Sequence, residues 1–468
     1  MLTPPDATAL ARFETGNIVG DLACKLFPNG KEVIYNPDDF GGMVKTTKKW
    51  MDEGLEHIYE ATFLYEGILV LIDVLKVTLN GVEIYEVKSS SSVKDIYLHD
   101  VSIQLYVLRQ LGYTVLNSNV IHIDGDYVRG DELDLDELFK IVDVSDEVNA
   151  LQADIPNRLE EFESYLADRE NEPSIDIGSH CNKPYECDAK EYCWKVQRNI
   201  PDYSLFNIFN LGSKKQIELY EQGIVNIEDI PSSYPMTAIQ KQKVQNWKDK
   251  TTFIDKENIK DFLDTLSYPI YHLDFETFQQ AIPEWRGISP YQQIPFQYSL
   301  HIEYSDGTIE HKEFLGEDGV DPRYELAKRL VKDIPTNVTV LTYNMSFEKG
   351  VNSKLADSFP EFKNHLLSIN ENIKDLMFPF QKKYYVTPEM QGSYSIKYVL
   401  PSLVPEMEKA YKNLNSIQNG GDAMNAFPKL LTMSPEEKEE TRTALLEYCK
   451  LDTLAMVEVL KKLKYVID

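Results

Sequence analysis

Apolar and polar positions along the chain fall into successive helix-like and strand-like periods. The opening stretch ALARFETGNIVGDLACKLFPNG spaces its apolar residues along one helical face and stops at Pro28-Asn29-Gly30. Next, ATFLYEGILVLIDVLKVTLNGVEIYEVKSS reads as two β-rich runs joined at Asn80-Gly81, a dipeptide suited to a tight hairpin. In YLHDVSIQLYVLRQLG, Leu98, Val101, Leu105 and Leu108 take one helical face, and Asp100 and Gln104 share another. Residues 201–250 predict short helices, and the polar stretch Lys241–Asp264 reads as a hinge.

Beyond the hinge, the run from Ile270 to Leu273 leads into Asp274 and Glu276. In a strand, these two carboxylates share one face while Leu273 and Phe275 point into a core. QIPFQYSLHIEYSDG and TIEHKEFLG continue as strands, Glu325–Lys332 as a helix, and NVTVLTY (Asn337–Tyr343) as a buried strand. Asn344-Met-Ser-Phe-Glu348 opens another helix. The long final helix is capped by Ser434, with Pro435 in its first turn, and carries Tyr448 and Asp452 four residues apart on one face.

These elements predict an α/β chain whose 468 residues hold two or three domains. The boundaries fall at 1–200, at 201–264 for a small helical linker, and at 265–468. With 43% hydrophobic residues, the sequence has no apolar run long enough to cross a bilayer. The N-terminus lacks the basic-then-apolar layout of a signal peptide, so the expected location is the cytoplasm, away from membranes. The formal charge of −28 favours a protein or small-molecule partner, because nucleic-acid binders usually show a basic face. Part of the acidity is a solvated shell, as in Asp131–Glu137 and Glu160–Glu172. Lysines nonetheless cluster locally: Lys45, Lys48 and Lys49; Lys214 and Lys215; Lys241, Lys243, Lys248 and Lys250; Lys382 and Lys383.

The first candidate chemistry lies on the predicted hairpin. Asp73 sits in one run, and Glu86 and Lys88, two apart, share a face of the next. Two carboxylates can hold Mg²⁺ or Mn²⁺, and a lysine can orient water and stabilise charge developing on a phosphate. An Asp followed by Glu-x-Lys and then a Gln-bearing helix resembles the RecB-like branch of the restriction-endonuclease-like nucleases. The resemblance implies that Asp73, Glu86 and Lys88 are catalytic, that Gln104 supports the site, and that Glu60 supplies another acid. Leu108 stands where that family carries a Tyr after the Gln.

Five cysteines, an odd number, argue for metal or redox use over a disulfide framework. Cys181, Cys187 and Cys193 are spaced C-x5-C-x5-C, and Cys24 lies far upstream. One cysteine before a nuclease core and three after it resembles the iron–sulfur RecB-like nucleases, which implies a four-iron cluster held by these four thiolates. Zinc bound by the same four is the alternative. In the middle region, a helix, Leu211-Gly212-Ser213, a second helix and Gly223-Ile224 resemble a helix-hairpin-helix, with Lys214 and Lys215 beside its phosphate-facing turn. A plain helical linker reads equally well.

The C-terminal order, strands first and then alternating strand and helix, is that of a ribonuclease-H-like fold. Acid-x-acid on the first strand, an acid on a middle helix and Tyr-x-x-x-Asp on the last look like the DnaQ-like 3′-to-5′ exonucleases. The resemblance implies that Asp274, Glu276, Glu348 and Asp452 bind two metal ions and that Tyr448 orients the attacking water. Glu348 stands where the family carries Asp. YNMSFEKG and KKYYVTPEMQGSYSIKYVLPSLVPEM resemble a bacterial domain of unknown function found C-terminal to RecB-like modules, over roughly 270–460. Lys397 and Tyr394 read as core or surface residues, and Cys449 as a buried thiol turned off the Tyr448/Asp452 face.

The expectation is a nuclease with two centres, acting on DNA in preference to RNA, in company with a helicase or a repair or defence partner. The alternatives are one live centre with a C-terminal module that only grips nucleic acid, and a non-catalytic interaction protein.

Overall fold

The computed structural model describes residues 3–168, 170–208 and 211–468, and these form two compact units. The first unit comprises Ala9–Asp176 with the loop Gln279–Gln292. The second comprises the N-terminal residues through Thr8, Ile177–Phe278 and Gln293–Asp468. Among the described residues, no helix is long and apolar enough to cross a membrane.

In chain order the first unit contains α1 (Ala7–Ala23), β1 (Lys31–Glu32), α2 (Phe40–Asp52), β2 (His57–Tyr65), β3 (Ile68–Thr78), β4 (Gly81–Lys88) and α3 (Asp95–Gln110). It continues with β5 (Val115–Ile123), α4 (Leu135–Leu138), β6 (Phe139–Asp143), α5 (Ser145–Leu151) and α6 (Ile155–Ala167). The strands form one six-stranded sheet in sequential order. β2, β3 and β4 are antiparallel neighbours, and β4 and β5 run parallel, joined through α3. Such a parallel pair needs a crossover, and the apolar face of α3 supplies it, packing Val101, Leu105 and Leu108 on Ile72, Leu75 and Ile84. A second cluster joins Val19 and Ala23 of α1 to Val74, Tyr85 and Ile121.

The stretch read as two β-rich runs is three strands. Glu66 and Gly67, at φ +45° and +83°, turn the chain between β2 and β3. Positive φ at both central residues is the requirement of a tight hairpin turn, and a Glu in the first position hid it. The second turn falls where Asn80-Gly81 predicts it, between Thr78 and Gly81.

The second unit holds α7 (Ser213–Glu221), α8 (Ala238–Asp249), β7 (Phe253–Ile254), α9 (Lys256–Leu263), β8 (Ile270–Phe278), β9 (Ile294–Glu303) and β10 (Ile309–Leu315). Next come α10 (Arg323–Asp333), β11 (Thr339–Thr342), α11 (Met345–Ser358), α12 (Lys363–Asn372), β12 (Ile373–Asp375), α13 (Phe378–Gln381) and β13 (Tyr385–Val386). It ends with α14 (Ile396–Leu403), α15 (Pro405–Lys412), α16 (Gly420–Ala426) and α17 (Pro435–Ile467). A five-stranded sheet runs β10-β9-β8-β11-β12. Its first three strands are an antiparallel meander, while β11 lies parallel to β8 and β12. Ser434 caps α17 as its sequence predicts, and Glu437 closes the reciprocal capping box.

The stretch read as a hinge is ordered instead. β7 pairs with β13, and α9 buries Ile259 and Phe262 in the same core as Leu460 and Leu463 of α17. In the region likened to a helix-hairpin-helix, a three-residue 3-10 turn (Leu205–Asn207) precedes α7. Phe209 and Asn210, within the expected first arm, lie outside the described residues.

Candidate functional site

In the first unit, Asp73 on β3 and Glu86 and Lys88 on β4 come together on adjacent strands. Asp73 Oδ2 accepts the backbone N–H of Val87 at 2.6 Å. Glu86 receives Gln104 Nε2 at 2.7 Å and Lys88 Nζ at 2.8 Å. Gln104 also donates to the Leu71 carbonyl at 3.1 Å, so α3 holds Glu86 against the sheet. Lys88 reaches Asp100 Oδ2 at 2.8 Å, which places both polar residues of the α3 face on the β4 pair. A cleft of about 1190 Å³ opens here, lined by Asp21, Glu32, Glu60, Asp73, Glu86 and Lys88.

Burial, followed by repulsion from Glu86, pushes the Asp73 carboxyl well above its usual range. Glu60 is raised by burial, then by Glu86, Glu32 and Asp21. Burial works to lower the Lys88 ammonium, but Glu86 and Asp100 outweigh it and hold the lysine protonated. Glu60 has φ +53°, an unfavourable left-handed conformation for a residue with a side chain. Strain of this kind costs about 1–3 kcal/mol and concentrates at functional sites. Five acids outnumber the two lysines that line the cleft, Lys25 and Lys88, and form the oxygen-rich, negative setting that a hard divalent cation relieves.

The cysteines are distributed between the units. Cys24 follows α1 in the first unit and lines the acid cleft. Burial, then Asp73, Asp21, Glu60 and Glu32, push its thiol up to about 12. In the second unit, Cys181 and Cys193 share a small apolar cluster with Trp194 and Ile200. The Cys187 N–H donates to the Cys181 carbonyl at 3.0 Å, and the Gly178 N–H donates to Cys181 Sγ at 3.5 Å. These thiols and their N–H donor suit a thiolate-bound cluster in chemistry. Among the described residues, however, the group of three metal-competent ligand atoms within 4.8 Å of one another is a different one: Asp274, Glu276 and Cys449.

That group lies on β8, which alternates as its sequence predicts. Leu273 and Phe275 enter the core with Tyr298 and Leu300, leaving Asp274 and Glu276 to the other face. Across β9 their partners are Ser299 and Gln297. Polar contacts fix α17 over this face: Gln297 Nε2 donates to the Leu445 carbonyl at 2.8 Å, and Thr453 Oγ1 meets Ser299 Oγ at 2.6 Å and His301 Nδ1 at 2.8 Å. α17 thereby delivers Tyr448 and Asp452 to the acids. It also delivers Cys449, whose Sγ is 3.9 Å from Asp274 Oδ2. Cys449 is buried, as expected, but it points at the acids and not away from them. The buried face of a packed helix is wide enough to include neighbouring positions.

Burial and then Asp452 raise Asp274, and burial followed by Asp274 and Asp452 raises Glu276. Glu348, on the first turn of α11, is 2% exposed and is raised by burial and then by Asp274. Its Oε2 is buried without a hydrogen-bond partner. Asp452 is raised to about 6 by burial, against the hydroxyls of Tyr411 and Tyr448 and the charge of Lys397. Tyr411 donates to Asp452 Oδ1 at 2.6 Å. All five residues expected at this centre are thus gathered there, and Tyr411 is an addition that no sequence motif marks.

A family described as "Domain of unknown function (DUF2779)" matches residues 271–395. The match begins on β8 and takes in Asp274, Glu276 and Glu348, while Tyr411, Tyr448 and Asp452 lie beyond it. An uncharacterized protein of Ureaplasma parvum is 26% identical over 299 residues, covering 59% of this chain and 43% of that protein. An uncharacterized protein of Mycoplasma genitalium is 24% identical over 235 residues, covering 46% of this chain and 35% of that protein. The chain therefore spans less than half the length of these curated relatives. No solved structure matches it.

Proposed function

We propose that this chain is a metal-dependent nuclease that hydrolyses phosphodiester bonds of nucleic acid, with DNA favoured over RNA. A RecB-like centre would lie in the first unit and a DnaQ-like 3′-to-5′ exonuclease centre in the second. The observation that carries the reading is the gathering of Asp274, Glu276, Glu348 and Asp452 from β8, α11 and α17 around one buried spot. The order α2-β2-β3-β4-α3-β5 supports a restriction-endonuclease-like core for the first unit. The order β10-β9-β8-β11-β12 supports a ribonuclease-H-like core for the second.

The donor sets fit divalent ions. Asp73, Glu86 and Glu60 would hold one in the first unit, and the four acids would hold those of the second, with the orphaned Glu348 oxygen finding a partner. A bound Mg²⁺ or Mn²⁺ supplies Lewis-acid stabilisation of the charge on the phosphate under attack. Lys88, kept protonated, donates to phosphate oxygens, and Gln104 fixes the orientation of Glu86. Burial keeps the Tyr448 hydroxyl protonated; its O–H donates toward Asp452 and its oxygen can accept from a water, while Tyr411 also positions Asp452. The iron–sulfur cluster or zinc that the cysteine pattern suggests is tested by iron, sulfide and zinc analysis of anaerobically purified protein, which separates the two.

A second reading has the C-terminal unit gripping nucleic acid without cutting it. The Tyr411 hydroxyl already occupying Asp452 Oδ1 favours it. The test is digestion of end-labelled single- and double-stranded DNA and RNA with Mg²⁺ or Mn²⁺, using wild type, Lys88→Ala and Asp452→Ala. Two working centres predict that each variant loses a different product. Loss with Lys88→Ala alone establishes the second reading, and a wild type that cuts nothing refutes both.

A further inference from the structure

We propose that the second unit carries a phosphate-gripping site for single-stranded nucleic acid where Lys243 of α8 meets Lys382 and Lys383. This deepens the nuclease reading and rests on it. Two lysine clusters far apart in the sequence are brought together by the pairing of Phe253 with Val386 and Ile254 with Tyr385. The result is a pocket of about 320 Å³ lined by Lys243, Lys382, Lys383, Asn246, Phe253 and Tyr384. Asp255 also lines it, but that carboxylate is engaged in capping α9, accepting from Asn258 N at 3.1 Å and Nδ2 at 2.8 Å.

Two of the lysines converge on one acceptor. Lys243 Nζ and Lys383 Nζ donate to the same Gly392 carbonyl, at 3.1 and 3.4 Å. An anionic phosphate bridging the two ammonium groups would be held by charge-assisted hydrogen bonds. Burial, and then Lys243, bring the Lys383 ammonium down to about 8. Lys383 also has φ +66° and lies over the Tyr394 ring, 5.1 Å from its centroid.

The aromatic lining selects the form of the ligand. Phe253 is 42% exposed and, with Tyr384, offers ring faces to an unstacked base. Phosphate contacts combined with base stacking are the means by which single strands are bound without sequence preference. The Tyr394 carbonyl accepts the Tyr343 hydroxyl at 2.6 Å, just ahead of the helix that carries Glu348, and Lys397 acts on Asp452.

The test uses the full chain in EDTA, so that nothing is cut, with labelled oligothymidylate, oligouridylate and a DNA duplex followed by anisotropy across a salt series. Lys243→Gln/Lys383→Gln removes two phosphate contacts, so the slope of log affinity against log salt becomes shallower by about 1.4. At 0.1 M salt that corresponds to roughly 25-fold weaker single-strand binding. Lys243→Arg/Lys383→Arg keeps the charge and retains binding. An unchanged affinity and slope in the Gln variant overturns the pocket and leaves the nuclease reading standing. Equal loss in the Arg variant overturns it too, because the role is then structural. A duplex bound as tightly as the single strands overturns the single-strand assignment. A wild type that binds no oligonucleotide at low salt overturns both pocket and nuclease.

Discussion

Asp452→Asn is expected to stabilise the metal-free protein at neutral pH and to remove its stabilisation by divalent ions. The Asp452 carboxyl is raised from 3.8 to about 6 by burial, with the Tyr411 and Tyr448 hydroxyls working in the other direction. Below pH 3.8 the folded and unfolded forms both carry the proton, and the group contributes nothing to pH dependence. Between 3.8 and about 6 the folded form keeps a proton that the unfolded form has lost, so stability falls as pH rises. Above about 6 the whole penalty is present. At about 1.4 kcal/mol per pH unit, it amounts to about 3 kcal/mol. Solvent reaching the half-buried residue makes that an upper bound. Asparagine keeps an oxygen to accept the Tyr411 hydroxyl, so the substitution isolates the charge. The assay is urea unfolding of the second unit in EDTA at several pH values, repeated with Mg²⁺ or Mn²⁺. The variant should exceed wild type by about 1–3 kcal/mol near neutral pH, and the two should converge near pH 4. An ion at about 100 times its Kd should raise wild type by about 2.7 kcal/mol and the variant far less. A variant less stable than wild type near neutral pH in EDTA would refute the argument, because the carboxylate would then be worth more to Tyr411 than it costs to bury.

Gln104→Ala should lower cleavage by the first centre about 10–100-fold, the usual effect of losing a residue that orients a metal ligand. Trimming by the second centre should be unchanged, and a product pattern identical to wild type would show that Glu86 needs no such support. Gly81→Ala should destabilise the first unit by about 1–3 kcal/mol, as for other strained backbone positions. Gly81 has φ +153°, and a Cβ there would meet the Thr114 carbonyl oxygen at 2.2 Å. Thermal unfolding of the variant measures this directly, and an unshifted transition would mean that the β4–β5 backbone yields at no cost.

The sequence was most legible where one element carries its own signal. The alternation around Asp274 and Glu276, the Asn80-Gly81 turn, and the Ser434 cap with Pro435 all depend on neighbours in the chain, and each folds as its pattern indicates. Features that depend on distant partners were less legible. β7 is two residues long and exists as a strand because β13 pairs with it, so its polar surroundings read as a hinge. Tyr411 falls in a region cut into short helices by Pro401 and Pro405, too brief to show a period, and its bond to Asp452 is wholly tertiary. Strict four-residue spacing draws a helical face too narrowly and leaves out Cys449, which the packed helix turns toward Asp274. The acids of the first cleft were legible as a set except for Asp21 and Glu32, which come from α1 and β1, outside the hairpin motif.

The net charge of −28 weighs less against a nucleic-acid partner once the acids are placed. Many of the acids that matter most are not spread over a repelling surface. Asp21, Glu32, Glu60, Asp73 and Glu86 share one cleft, and Asp274, Glu276, Glu348 and Asp452 gather in a second centre. Such sets are what divalent ions neutralise, and burial already raises several of these carboxyls above their usual range. For exposed acids elsewhere, screening beyond about 10 Å at 0.1 M salt leaves a bound phosphate answering mainly to its nearest groups. Around Lys243, Lys382 and Lys383 those groups are cationic, aromatic, amide or aliphatic, with one capping carboxylate. Bulk charge should therefore slow the approach of a polyanion more than it weakens the grip once contact is made, since steering samples the whole field and binding samples the local one.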